Sequence, residues 1–370
     1  MTILSNCRVP ILFCLLAVTS STGVLARQNA VDLTSQRQST SISMMGVYQS
    51  YEEDGLLSMS QLSFPLVIDV PLGRKLRLNA WANRMETEGE GVQSLSGFSD
   101  AQVILSFAQP VGSGSLVLSM SANVPTGQSE LTTEEFETVI LLSQAAYDYR
   151  VPSLGQGLGV SPSVTWAFPV APSVVAGIGA SFQHRGSYKP LDSLEEEYVP
   201  GDEVLLTVGL DARLSRTTAL SLDMTYAIYA ADRLGDEDIY QAGNKITSSV
   251  LIRGFQGFNE WRLLGLYRNR TKSDELAGSS LVTEEQRTVP NEIMLRASYG
   301  LRVTSVVTTT LQAEIHFFDE TEIYPKRSVI DLGLIPSFRI SPRITFLSRV
   351  VATIGTVSGF EAGAGLSVTL

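Results

Sequence analysis

The sequence predicts an all-β fold, a transmembrane antiparallel up-and-down β-barrel of about sixteen strands, with fourteen as the alternative count. Three observations predict it. From about residue 42 onward, segments of some ten residues alternate apolar and polar side chains. The connections between these segments alternate in length, short turn then long loop, as when every turn lies at one end of a barrel and every loop at the other. A barrel of this width is too wide to be filled by apolar side chains, so the polar faces must line the lumen and the apolar faces must meet lipid.

At the N-terminus, Arg8 precedes the apolar run ILFCLLAV, and Val24-Leu25-Ala26 offers small residues where a signal peptidase reads. Residues 1 to 26 are therefore expected to be a secretory signal peptide, 27 to 40 a short periplasmic segment, and 41 to 370 the barrel. This places the chain in the outer membrane of a Gram-negative cell. Both cysteines, Cys7 and Cys14, fall in the export segment, so no disulfide framework is expected in the remainder. The formal net charge of −11 becomes one unit more negative on loss of Arg8, which excludes nucleic acid as a partner class. Charged residues make up 18% of the chain, against about 25% in soluble proteins.

Period-2 runs place strands at 42–51, 57–70, 74–86, 98–109, 114–125, 157–169, 173–186, 202–215, 217–230, 245–256, 259–271, 290–303, 305–318, 328–340, 343–354 and 359–370. In LVLSMSANV, Leu116, Leu118, Met120, Ala122 and Val124 share one face, opposite Val117, Ser119, Ser121 and Asn123. LTVGLDARL (206–214) and IMLRASYGLR (293–302) read the same way. Turns fall at PLGR (71–74), PVGSG (110–114) and QGFN (256–259), and long loops at 87–97, 126–156, 187–201, 231–244, 272–289 and 319–327. Trp166, Phe168, Tyr226, Tyr299 and Phe346 fall on outward faces towards strand ends, as an aromatic girdle requires.

The loop 126–156 carries a short helix signature. LTTEEFETVILLSQAA starts at a threonine cap, Thr132 or Thr133, has Glu134, Glu135 and Glu137 near its first turn, and then becomes apolar. Phe136, Val139, Ile140 and Leu142 are the candidate substrate-contacting residues, because so much apolar surface in an external loop must be buried somewhere. It can fold into the lumen, pack on other loops, or dock a hydrophobic solute.

By parity the lumen is lined by Arg77 and Trp81 early in the chain, and by Arg253, Arg268, Arg296, Asp331 and Arg349 in its second half. Such a lining either sets the selectivity of an open pore or pairs off internally and fills it. No catalytic residue is assigned: the two histidines, His184 and His316, have no serine at a recognisable spacing, and the chain is not expected to be an enzyme. Acid runs at 195–197, 236–238 and 284–285 fall in external loops, as solvated tips or as sites for cations that bridge lipopolysaccharide phosphates. No cofactor and no resident metal is expected. The expected partners are outer-membrane lipid, lipopolysaccharide and a small-molecule substrate.

Across NVPTG (123–127), the apolar loop helix and LGQGLGVSPSVTWAF (154–168), the chain resembles outer-membrane transporters for hydrophobic compounds, the group of FadL-like and MetA-pathway phenol-degradation barrels. The resemblance covers residues 116 to 190 and implies passive uptake of fatty acids or aromatics. A general porin for small polar solutes, and a closed structural or surface-binding barrel, are the alternatives. The final strand EAGAGLSVTL (361–370) is similar to the signal read by barrel-assembly machinery, a further expected partner.

Overall fold

A computed structural model describes residues 39–53 and 57–370. The expected signal peptide and nearly all of the 27–40 segment lie outside the described residues. In chain order the first strands are β1 (Ser41–Glu53), β2 (Leu57–Leu72), β3 (Leu76–Gly89), β4 (Leu95–Phe98), β5 (Ala101–Val111) and β6 (Gly114–Val124), followed by helix α1 (Thr133–Leu142). Next come β7 (Gly159–Ala171), β8 (Val174–Arg185), β9 (Tyr198–Val199), β10 (Glu203–Arg213), β11 (Thr218–Tyr229), β12 (Ala231–Leu234) and β13 (Glu237–Gln241). The remainder are β14 (Lys245–Gln256), β15 (Asn259–Arg270), β16 (Asp274–Ala277), β17 (Ser280–Thr283), β18 (Glu292–Arg302), β19 (Val307–Phe318), β20 (Arg327–Arg339), β21 (Ile344–Gly355) and β22 (Ser358–Thr369).

The long strands form one closed antiparallel barrel of 16. Closure joins the first strand to the last, in register from Ser41↔Thr369 to Glu52↔Ser358. Among the described residues each of the sixteen barrel strands pairs on both sides, which is the condition for a sheet to survive in lipid. The turns at one end are tight: Gly73 and Gly112 take φ of 85° and 59°, a region that glycine enters without steric cost and that matches hairpin twist.

The exterior carries the apolar face. Leu118, Met120, Leu206, Val208, Met224 and Leu295 are all exposed. Two aromatic belts bound this band, Phe107, Trp166, Phe255 and Phe338 towards the short-turn end, and Tyr48, Phe182, Tyr267, Phe317 and Phe360 towards the long-loop end. Trp166 and Phe168 pack at 4.5 Å between ring centroids, and Phe338 and Phe346 at 6.0 Å. An exposed apolar band with aromatics at both rims is the outside of a lipid-embedded barrel.

One layer was not visible in the sequence. The loops at the long-loop end build a second, five-stranded sheet in the order β17-β16-β13-β12-β9. Tyr198, Ile239, Tyr240 and Ala242 from these loops bury against Ala227 and Tyr229 at the top of β11. The strands of this cap are two to five residues long, too short for periodicity to register.

Candidate functional site

The loop between β6 and β7 folds into the barrel. Its helix α1 is started by a reciprocal capping box: the Thr132 backbone N–H donates to Glu135 Oε2 (2.9 Å), and the Glu135 N–H donates to Thr132 Oγ1 (3.3 Å). Phe136, Val139 and Leu142 are each 1% exposed, packed with Met59, Met85 and Leu95 from the long-loop ends of β2, β3 and β4. The helix ends at Ser143, shorter than the apolar stretch that signals it, because the chain then turns inward. Asp148 takes φ 46°, a left-handed conformation that reverses the path between Tyr147 and Tyr149.

Two glutamines hold the backbone of residues 148 to 151. Gln49 and Gln61 face each other across the β1–β2 pair and are both fully buried. Gln49 Nε2 donates to the Asp148 carbonyl (3.0 Å) while its Oε1 accepts from the Arg150 N–H (2.8 Å). Gln61 Nε2 donates to the Val151 carbonyl (2.9 Å) while its Oε1 accepts from the Val151 N–H (3.0 Å). A side-chain amide here takes the place of a neighbouring strand, satisfying backbone groups that water does not reach.

Charge reinforces the amide clamps. The Arg150 guanidinium donates to Glu361 at 3.0 Å, and Arg349 pairs with the same carboxylate. Tyr147 donates its hydroxyl to Glu53 Oε2 (2.5 Å), and Glu53 also takes two bonds from Arg327 at 2.8 Å. Further along, Asp100 accepts from the Gly127 and Gln156 N–H groups at 3.0 and 2.7 Å, closing the base of the loop.

Across the lumen the wall made by β15, β18 and β19 carries a self-neutralising ladder. Arg268 donates to Glu292 (2.6 Å), His316 sits between Glu292 and Glu314 at 2.9 Å from each, and Arg296 donates twice to Glu314 (2.6 and 2.8 Å). Between loop and wall lies a cavity of about 450 Å³, lined by Ile140, Leu142 and Ile323 from the loops and by the ladder, with Met294 and Phe318 set among its charged residues, on the wall. A second cavity of about 310 Å³ lies behind the loop against β3 to β8, and its lining includes Trp81, Asn83 and Asn123. Serines and threonines line a third, of about 110 Å³.

The residues singled out from the sequence are thus divided. Ile140 and Leu142 reach the large cavity; Phe136 and Val139 anchor the helix. Arg268 and Arg296 belong to the ladder, Arg349 to the Glu361 cluster, and Asp331 accepts from Thr353 (2.5 Å). Arg77 pairs with Asp69 low on the opposite wall, Trp81 lines the second cavity, and Arg253 is exposed near a short turn. Sequence reasoning missed Gln49, Gln61, Arg150 and Glu53. Two buried-parity glutamines on the first hairpin were the available signal, because an uncharged amide directed into a wide lumen needs a partner there.

No protein-family model matches the sequence, and no curated protein is similar to it in sequence. Similarity is found among solved structures. CdiB from Acinetobacter baumannii superposes with a TM-score of 0.53 at 9% identity, over 90% of this chain and 60% of that one, so this chain spans about three-fifths of CdiB. An anion-selective porin from Comamonas acidovorans (11% identity, TM-score 0.41) and the outer-membrane-expressed OmpT of Vibrio cholerae (10%, 0.41) each match over 90% of this chain and 99% of their own. The CdiB superposition is a likeness of fold, and the fold here is a closed antiparallel barrel of 16 strands with one loop folded inside.

Proposed function

We propose that the chain is a passive, non-enzymatic outer-membrane channel for small solutes, and that its filter is the gap between the inserted loop and the β15–β18–β19 wall. The cavity of about 450 Å³ in that gap carries the reading. It opens between the inserted loop and the barrel wall, and apolar loop residues and the charged ladder both line it. Ile140, Leu142 and Ile323 favour solutes with an apolar body, in keeping with uptake of hydrophobic compounds. The ladder opposite suits a polar or charged head.

Proteoliposome swelling tests this with two solutes of similar mass that lipid alone excludes, phenylalanine and arabinose. Phenylalanine is expected to enter several-fold faster than arabinose. Arabinose entering as fast as phenylalanine would favour a general porin, and no swelling with either would favour a closed structural barrel.

A further inference from the structure

Four cations are buried in the described structure: Arg185, Lys245, Arg270 and Arg327. Two of them have carboxylate partners, Arg185 with Glu203 (2.9 Å) and Arg327 with Glu53 (2.8 Å). Lys245 and Arg270 have none within ion-pair distance among the described residues, although they are only 4% and 3% exposed. They are also register partners, the first residue of β14 opposite the last of β15, so two like charges face each other directly. That pairing is unfavourable in a sheet, and worse where water is scarce.

None of the surrounding acids forms an ion pair with Lys245 or Arg270. Glu203 accepts from Arg185, Glu292 accepts from Arg268 and contacts His316, and Asp232 accepts from the Gly201 N–H (2.5 Å), while Glu203 Oε1 and Asp232 Oδ2 stay buried without a hydrogen bond and point to neither cation within ion-pair distance. Burial also pushes the Asp232 carboxyl up to about 6. The face of Tyr229 lies 5.9 Å from Lys245 Nζ and 5.3 Å from the Arg270 guanidinium carbon, a partial compensation by ring quadrupole. It gives Arg270 Nη1 no acceptor: that nitrogen is buried without a hydrogen bond. A buried donor left open on a cationic side chain asks for an anion to fill it.

Both side chains line the large cavity, at the mouth of the barrel where the cap sheet begins. Across that cavity stand Ile140, Leu142 and Ile323. We propose that Lys245 and Arg270 form a binding site for the carboxylate of an amphipathic solute, whose apolar body lies on the loop helix. The inference rests on the channel reading and deepens it by naming the solute class: small monocarboxylates with an aromatic or aliphatic body. The carboxylate supplies the acceptor that Arg270 Nη1 lacks, and the apolar wall excludes solutes that are all head. The charge ladder cannot serve this role, since each of its cations already holds an acid.

The test is calorimetric titration of the purified barrel in uncharged detergent with benzoate, benzyl alcohol and inorganic phosphate, a measurement that does not depend on transport. Benzoate is expected to bind about tenfold or more tightly than either of the others. The double variant K245Q/R270Q should lose about tenfold or more of the benzoate affinity, whereas Lys245→Arg, which keeps the charge, should retain it. Conversion of the native band only on heating in SDS confirms that each variant is folded. Benzyl alcohol binding as tightly as benzoate, or an undiminished affinity in the folded double variant, would overturn the site. Phosphate binding as tightly as benzoate would overturn the amphipathic assignment. Because swelling reports the channel and titration reports the site, failure of one is distinguishable from failure of the other.

Discussion

Replacing Gln49 and Gln61 together by leucine is expected to free the inserted loop and to raise the ionic conductance of the barrel. The two amides make four hydrogen bonds to the backbone of residues 148 to 151, all between 2.8 and 3.0 Å. Leucine is of similar size but offers no partner, so the buried N–H and C=O groups of the loop would each lose a bond at about 1–3 kcal/mol apiece. The loop escapes that cost by leaving the lumen and finding water. The β1–β2 ladder does not depend on these side chains, since its register runs through backbone bonds from Ser41↔Asp69 to Glu53↔Leu57. Planar-bilayer recording should therefore show larger, noisier currents, with the temperature of band conversion in SDS little changed. A quiet channel of native conductance would mean that the glutamines do not hold the loop.

Glu53→Ala is expected to give the largest loss of stability. The Glu53–Arg327 pair is almost closed to solvent, with both side chains 6% exposed, and it joins the top of β1 to the start of β20. Removing the carboxylate leaves a guanidinium buried without its counter-charge, a change that costs about 3–5 kcal/mol where a buried pair is broken from one side. Tyr147 loses its acceptor in the same step. Arg327 would keep only its bond to Gln144 Oε1 (3.1 Å) and the faces of Tyr324 and Tyr147 at 4.7 and 6.0 Å. Urea unfolding in detergent micelles measures the effect, and Glu53→Gln, which retains one accepting oxygen, should fall between wild type and alanine. Equal midpoints for all three would show that the pair contributes nothing to the barrel.

The barrel itself was legible because its rules are local. Apolar residues at every second position, such as Leu206, Val208 and Leu210, fix a strand and its lipid face without reference to any other part of the chain. The loop helix was legible for the same reason: the Thr132–Glu135 capping box spans one turn. What the inserted loop touches was not, because Gln49 and Arg150 are a hundred residues apart and nothing in either neighbourhood names the other. Lys245 opens the strand expected at 245–256, yet its significance lies in standing opposite Arg270 with no acid paired to either. That depends on inter-strand register, which the closure of the whole barrel sets. The cap sheet stayed hidden because strands of two to five residues carry no readable period.

The central claim is that the segment between β6 and β7 occupies the lumen and narrows it. Single-channel conductance of the barrel with residues 130–153 replaced by a short glycine-serine link tests this most directly. The structure predicts a several-fold rise over wild type in the same salt, because the loop no longer fills the passage. An unchanged conductance in a barrel that still resists SDS until heated would contradict it.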